Sequence, residues 1–315
     1  MNSGMKVSVI ATVFNENETI RSFIDGLLQQ TRLPEEIIIV DAGSTDGTIE
    51  QLRLLIKKYP IIRCVVEKGC NVARGRNIAI HHSRYDYIAM TDAGSRVDRY
   101  WLEQLMVPYE TQTSVDIVGG WTEMEGASSF ERWICLLNKP FDKIDWDTYL
   151  PTARSLGIKK KCWEEVGGFP EELTMWSEDT VFLQQLKKRG FTVAINPKAI
   201  VYWRPRRNLQ EFWIQYYEYG KGDGEARIFP RLYLKRVGLF FSVIFLFFGN
   251  QVSPIIEIIC IVILLLAFIR VVLPLKTPAV PAWKLGPLFL LVLVMETAQL
   301  FGYPIGRLKK KSAQP

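Results

Sequence analysis

The sequence predicts an α/β protein, a mostly parallel sheet flanked by helices, followed by a C-terminal α-helical segment suited to a membrane. Three observations carry that expectation. Short β-branched runs alternate with segments of helical periodicity, the strands stop at turns rich in Asp, Gly and Ser, and beyond residue 236 the composition becomes mostly apolar. A chain of 315 residues can bury a sizeable core, and the composition divides it into a soluble domain at 1–230 and an anchor at 231–315.

The formal charge of +6 is local: basic residues gather at 159–161, 204–207, 235–236 and 307–311, several of them beside apolar stretches. That arrangement suits an anionic membrane leaflet. No nucleic-acid motif accompanies it, so nucleic acid is not an expected partner. The five cysteines lie far apart without Cys-x-x-Cys spacing, which indicates neither a disulfide framework nor a zinc site. The N-terminus lacks a basic stretch followed by an apolar one, so the first domain is expected in the cytoplasm.

In chain order, residues 6–13 form a β-branched run suited to a buried parallel strand. Polar residues 15–18 precede a helix over 19–30, where Ile20, Phe23, Ile24, Leu27 and Leu28 recur at helical spacing. Pro34 breaks the chain, a strand over 36–40 ends at Asp41, and the turn from Asp41 to Thr48 opens a helix to about residue 58. Ser44, Thr45 and Asp46 read equally well as helix caps and as anion contacts, whereas Asp41 lies ahead of the cap. A strand over 61–66 leads to a helix over 71–82 with Arg74, Arg76 and Asn77 near its start. The dipole disfavours cations there, so the arginines are either solvated or matched by a nearby anion.

The next strand begins at Tyr87 and stops at Thr91-Asp92-Ala93-Gly94-Ser95. Four strands alternating with helices argue for parallel pairing through right-handed crossovers. A helix over 101–109 and a strand over 115–121 follow, and the aromatic stretch 128–150 receives no assignment. From residue 155 a short strand leads to a helix ended by Gly167 and Gly168. Ser177 is the expected N-cap of a helix over 180–189, with Glu178 and Asp179 beside it. Acids are favoured in that position with or without catalysis.

Taken as an ordered set, Val9-Ile10-Ala11-Thr12-Val13-Phe14-Asn15-Glu16, the Val40 to Thr48 turn, Arg76-Asn77, the Thr91 to Ser95 turn, Gly167-Gly168-Phe169-Pro170 and Glu178-Asp179 resemble the inverting glycosyltransferases of family 2. The match runs from about residue 6 to 205 and implies the GT-A fold, a Rossmann-like sheet. It implies a nucleotide-diphosphate sugar held by Thr12, Asn15, Glu16, Asp41, Arg76 and Asp92, with Asp41 reading the base. Asp92 matches the first acid of the Asp-x-Asp motif, which holds the diphosphate and its Mg2+ or Mn2+. Asp179 matches the general base, with Glu178 as its neighbour. The pattern departs at Ala42, where many members have a second Asp, and at Gly94, where the second acid of Asp-x-Asp is expected. Asp92 with Ser95 is then the expected protein contribution to a metal shell that phosphate oxygens and water complete.

Residues from Val201 to Pro205 and from Gln215 to Gly222 resemble bacterial exopolysaccharide enzymes of the succinoglycan type. The Gln-x-x-Arg-Trp motif of processive synthases is missing, since Tyr-Tyr-Glu-Tyr follows Gln215, which implies one sugar per acceptor. Apolar segments at 237–248, 254–273 and 285–305 give two or three helices, with Glu257, Arg270 and Glu296 costly at membrane depth. The expected location is the cell inner membrane, multi-pass, with the catalytic domain cytoplasmic. The expected acceptor is a polyprenyl-linked glycan, and polysaccharide assembly enzymes are possible partners. A polyprenyl-phosphate glycosyltransferase and a catalytically degenerate nucleotide-binding scaffold are the alternative readings.

Overall fold

Apolar runs without interruption need cover on both faces; the first, second and fourth strands receive it, while the third, at the sheet edge, is half-buried. The computed structural model describes residues 4–137, 144, 149–173, 176–247, 253–277 and 280–309. It divides into two units, residues 1–123 with 146–203 and residues 124–145 with 204–315, so residue 230 falls inside the second.

In the first unit, β1 (Val7–Val13), α1 (Ile20–Leu28), β2 (Glu36–Asp41), α2 (Thr48–Lys58), β3 (Ile62–Val66), α3 (Val72–His82) and β4 (Tyr87–Met90) follow the predicted alternation. The strands pair in parallel, with Thr12 beside Val40 and Ile10 beside Met90. Side chains alternate between two cores. Val9 packs with Phe23, Leu27 and Trp101, while Ile10 packs with Ala79, Ile80 and Phe182.

The remaining strands make the sheet mixed. They are β5 (Ser95–Val97), β6 (Ile117–Met124), β7 (Leu156–Lys159) and β8 (Val193–Trp203), with α4 (Trp101–Thr111) between β5 and β6. The eight-stranded order is β3-β2-β1-β4-β7-β6-β8-β5. β7 runs antiparallel to β4 and to β6, and β5 antiparallel to β8. Neither β5 nor β8 was an expected strand. β5 has three residues, too few for periodicity, and Asn196-Pro197-Lys198 interrupts the apolar run of β8. After β7 the chain forms α6 (Lys160–Val166), ended by Gly167 at φ 82°, and then α7 (Glu178–Lys188). Ser177 occupies the N-cap position of α7, but at φ 65° and without a side-chain cap bond.

The second unit contains α5 (Ser129–Cys135), α8 (Leu209–Ala226), α9 (Pro230–Phe247), α10 (Pro254–Ala267) and α11 (Leu285–Leu308). α5 lies in the stretch left unassigned from sequence, of which residues 138–143 and 145–148 fall outside the described residues. Its start is a capping box: Glu131 Oε2 accepts from the Ser128 and Ala127 N–H groups at 2.7 Å each, and Oε1 accepts from Arg204 Nε at 2.8 Å.

α8 and α11 approach until backbone meets backbone. A β-carbon at Gly220 or Gly224 would overlap the carbonyl oxygens of Gln299 or Tyr303, and one at Gly302 or Gly306 those of Tyr217 or Lys221. Both helices thus carry glycines at a spacing of four, the small-residue pattern that lets helices close on each other. Tyr233 of α9 stacks on Tyr303 at 3.7 Å between ring centroids and donates to Asp223 Oδ2 at 2.8 Å. Among the described residues, two helical stretches are long and apolar enough to cross a membrane, Pro254–Leu275 and Ala282–Leu308. The expected first apolar segment lies largely in α9, where Arg236 forms an ion pair with Glu296 and so supplies the partner that this acid needs.

Two outcomes test this packing. Gly302→Val should destabilise the detergent-solubilised chain by about 1–3 kcal/mol or more, because overpacked backbone cannot move aside; thermal melting reads it. The Glu131 carboxyl is pushed down from 4.5 to about 2, first by the Ser128 N–H and then, against burial, by Arg204. Its pKa is lower in the folded chain than in the unfolded one, so its stabilisation is complete above pH 4.5 and fades as the pH falls toward 2. Hydrogen exchange at the α5 amides should rise over that window, and Glu131→Gln should flatten the dependence.

Candidate active site

Strands β1, β2 and β4 run in parallel and end along one edge of the first unit's sheet, where an open α/β sheet presents its crevice. Asp41 is the last residue of β2 and is fully buried. Its Oδ1 accepts from the N–H groups of Gly43 at 2.8 Å and Ser44 at 2.7 Å, which closes the turn. Its Oδ2 is buried with no hydrogen-bond partner among the described residues, an acceptor available to a ligand donor.

Beside it, Asn15 adopts φ 54°, a left-handed conformation that Asn tolerates, and locks the β1 turn to the β2 turn. Its N–H donates to Ser44 Oγ at 2.8 Å, and its Oδ1 accepts from the Thr45 N–H at 2.9 Å. The Glu16 N–H donates to Thr48 Oγ1 at 2.9 Å, and Glu16 Oε2 accepts from the Thr19 hydroxyl. Ser44 and Thr45 therefore tie the two turns together and do not cap α2. Asp46 does bind at that helix start, accepting from the Thr48 N–H at 3.1 Å. Thr12 lies on β1 with its methyl against the Gly75 backbone of α3.

The centre of the site is Arg76. Its guanidinium is 7 % exposed and donates from Nη1 to Glu178 Oε1 at 2.6 Å and from Nη2 to Asp92 Oδ1 at 3.1 Å. The ring of Phe169 faces it at 5.5 Å. Burial alone would lower its pKa, but Glu178, Asp92 and Asp179 outweigh that and raise it, so the group stays charged. Two carboxylates, and not a bulk anion, thus explain this cation at a helix start. Burial also raises the Glu178 carboxyl, against the pull of Arg76.

Asp179 is placed differently from its neighbour. Its Oδ2 accepts from the Ala153 N–H at 3.3 Å and its Oδ1 from the Thr180 N–H at 2.7 Å, and among the described residues no cation pairs with it. It is half-buried, whereas Glu178 is buried.

Asp92 is 33 % exposed and meets a second cation, Arg154 Nε, at 3.5 Å from Oδ2. Arg154 lies over Trp203 at 4.8 Å. Sequence reading missed Arg154 because nothing local marks it. The signal lies in the antiparallel register: Met90 pairs with Leu156, so continuing two residues along each strand sets residue 154 opposite residue 92.

The hydroxyls of Thr91 and Ser95 are buried without hydrogen-bond partners among the described residues. Ser95 shares a face of β5 with Val97, which touches α1 at Gly26. Among the described residues, no group of three or more His, Cys, Asp or Glu side chains could hold an ion alone. The donors present fit an Mg2+ or Mn2+ ion that keeps phosphate and water oxygens, not a resident all-protein site. The structure thus gathers Asp92 and Glu178 around the Arg76 guanidinium, with Asp179 adjoining, and Asn15, Glu16 and Asp41 around the two joined turns.

The family model described as glycosyl transferase family 2 matches residues 8–165. Glycosyltransferase AglE of Haloferax volcanii is 27 % identical over 239 residues, covering 73 % of this chain and 77 % of that protein. The O-antigen chain rhamnosyltransferase RfbN of Salmonella typhimurium is 22 % identical over 249 residues, covering 70 % and 78 %. Among solved structures, the mannosyltransferase PcManGT from Pyrobaculum calidifontis, in complex with GDP-Man and Mn2+, superposes with a TM-score of 0.61 at 17 % identity, covering 98 % of this chain and 88 % of that one. At that identity the likeness concerns the fold, which is GT-A.

Removing the central cation should leave Glu178 buried and uncompensated. Arg76→Ala should cost about 3–5 kcal/mol of stability by thermal or denaturant unfolding, and Arg76→Leu with Glu178→Leu should recover most of it.

Proposed function

The chain belongs to glycosyl transferase family 2, and from that premise we propose that it transfers a hexose from a nucleoside-diphosphate sugar to a polyprenyl-linked glycan, with inversion at the anomeric carbon. The observation that carries this reading is the division of labour between Glu178 and Asp179: the first spends its charge on Arg76, and the second keeps a carboxylate with no ion pair among the described residues.

In such a transfer the acceptor oxygen attacks the anomeric carbon, the bond from that carbon to the diphosphate oxygen breaks, and Asp179 takes the hydroxyl proton. Asp41 Oδ2 accepts from a donor on the nucleobase. Arg76 keeps Asp92 oriented beside the diphosphate, and Arg154 adds positive charge there. A divalent ion, when bound with the substrate, neutralises charge on the leaving diphosphate. The Mn2+ and GDP-Man in the PcManGT structure support this assignment of donor and metal.

The O-antigen activity named for RfbN supports a surface-polysaccharide acceptor. Pro254–Leu275 and Ala282–Leu308 each exceed the roughly 20 residues needed to cross a bilayer. Two crossings would leave the basic residues 235–236 and 309–311 both on the cytoplasmic side of the inner membrane.

Asp179→Asn tests the reading. Turnover should fall by about 10²–10⁴-fold, the usual contribution of a general base, while donor affinity stays within about twofold. Undiminished turnover would instead fit an acceptor that is already an anion, such as a polyprenyl phosphate, and would overturn the assignment of the base.

A further inference from the structure

Gly94 stands where a second acid is expected, and its surroundings say what replaced it. Gly94 is not among the glycines with positive φ, so its backbone would admit an L side chain. What opposes an acid there is charge, since the neighbour is the carboxylate end of a flexible side chain. A β-carbon at residue 94 would stand 3.2 Å from Glu16 Oε1, with the Glu16 Cδ at 3.8 Å and Oε2 at 3.9 Å. The Glu16 carboxylate therefore already lies where an acid at residue 94 would begin, and two carboxylates so close would repel.

Glu16 is held there for a reason other than helix capping alone. Its backbone is fixed by the Thr48 hydroxyl, its Oε2 accepts from Thr19, and its Oε1 accepts no hydrogen bond among the described residues. The next residue after Gly94 adds an independent sign of a missing ligand. Ser95 is 6 % exposed, its Oγ has no hydrogen-bond partner among the described residues, and its face of β5 is the one that meets α1, the helix that follows Glu16 and Thr19. Asp92 alone is a poor cation ligand, because Arg76 and Arg154 already approach its two oxygens. A second carboxylate without a cationic partner is what the site needs to retain a divalent ion beside a diphosphate.

We propose that Glu16 supplies the second carboxylate of the diphosphate-bound metal site, reaching across from the β1 turn into the space that Gly94 leaves open. The glycine is then an exchange of ligands between two turns and not a loss of the metal. This proposal rests on the nucleoside-diphosphate-sugar reading above, and it deepens that reading by naming a residue for the metal.

The test uses the full chain in detergent and Mn2+ as the probe, titrated by electron paramagnetic resonance. Mn2+ is added with whichever of UDP, GDP, CDP, ADP or dTDP raises the melting temperature most. Glu16→Gln should weaken Mn2+ binding by about tenfold or more, the range seen when ligand support is lost, and by more than it weakens binding of the nucleotide in EDTA. Adding Gly94→Asp to Glu16→Gln should restore most of the Mn2+ affinity, since the neutral glutamine amide, unlike the glutamate carboxylate, does not repel an acid at residue 94. Glu16→Gln that binds Mn2+ as tightly as the parent overturns the proposal, as does a parent chain that binds a nucleotide but no Mn2+. A folded parent chain that binds none of the five nucleotides overturns the donor reading itself, and the proposal with it.

Discussion

A single buried guanidinium holds the candidate site of this protein together. Arg76 leaves α3 and meets the acid in the turn after β4 and the acid that begins α7, so three elements distant in sequence share one charge. A cation with so little water around it is tolerated only when carboxylates surround it, and removing any partner strands another charge. The same tie sorts the two acids at the start of α7. Glu178 is committed to the guanidinium, whereas Asp179 has no ion pair among the described residues and is the carboxylate to which the proposed reaction gives the proton. The geometry of the candidate site thus follows from a charge-pairing requirement.

The second unit is ordered by a different constraint, the contact of α8 with α11 through glycines on both helices. There the stabilising term is close van der Waals packing along backbones, supported by the Tyr233 and Tyr303 stack and by the Arg236 and Glu296 pair. Apolar contact alone would not select one register between the two helices, because it is non-directional. Steric fit at Gly220, Gly224, Gly302 and Gly306 does select one.

Much of this could be read from the sequence. The four parallel strands and the acids at their ends were legible because strand period, turn chemistry and helix period agree over residues 7–92. The antiparallel half was not, because strand direction depends on pairing that local sequence does not encode. Arg154 illustrates the cost: its place opposite residue 92 exists only through the register of β7 on β4. The helix-start arginine was legible as an anomaly, but its partners are 16 and 102 residues away in sequence. The Gly94 departure was visible as a missing acid; that the Glu16 carboxylate already lies against that position required coordinates.

The account treats Asp179 as a base acting in one displacement, on the face opposite the leaving diphosphate. The most direct measurement is the anomeric configuration of the product, read by proton NMR against that of the nucleotide-sugar donor. The account predicts inversion, so that an α-linked donor yields a β-linked product. A product that retains the donor configuration would contradict it.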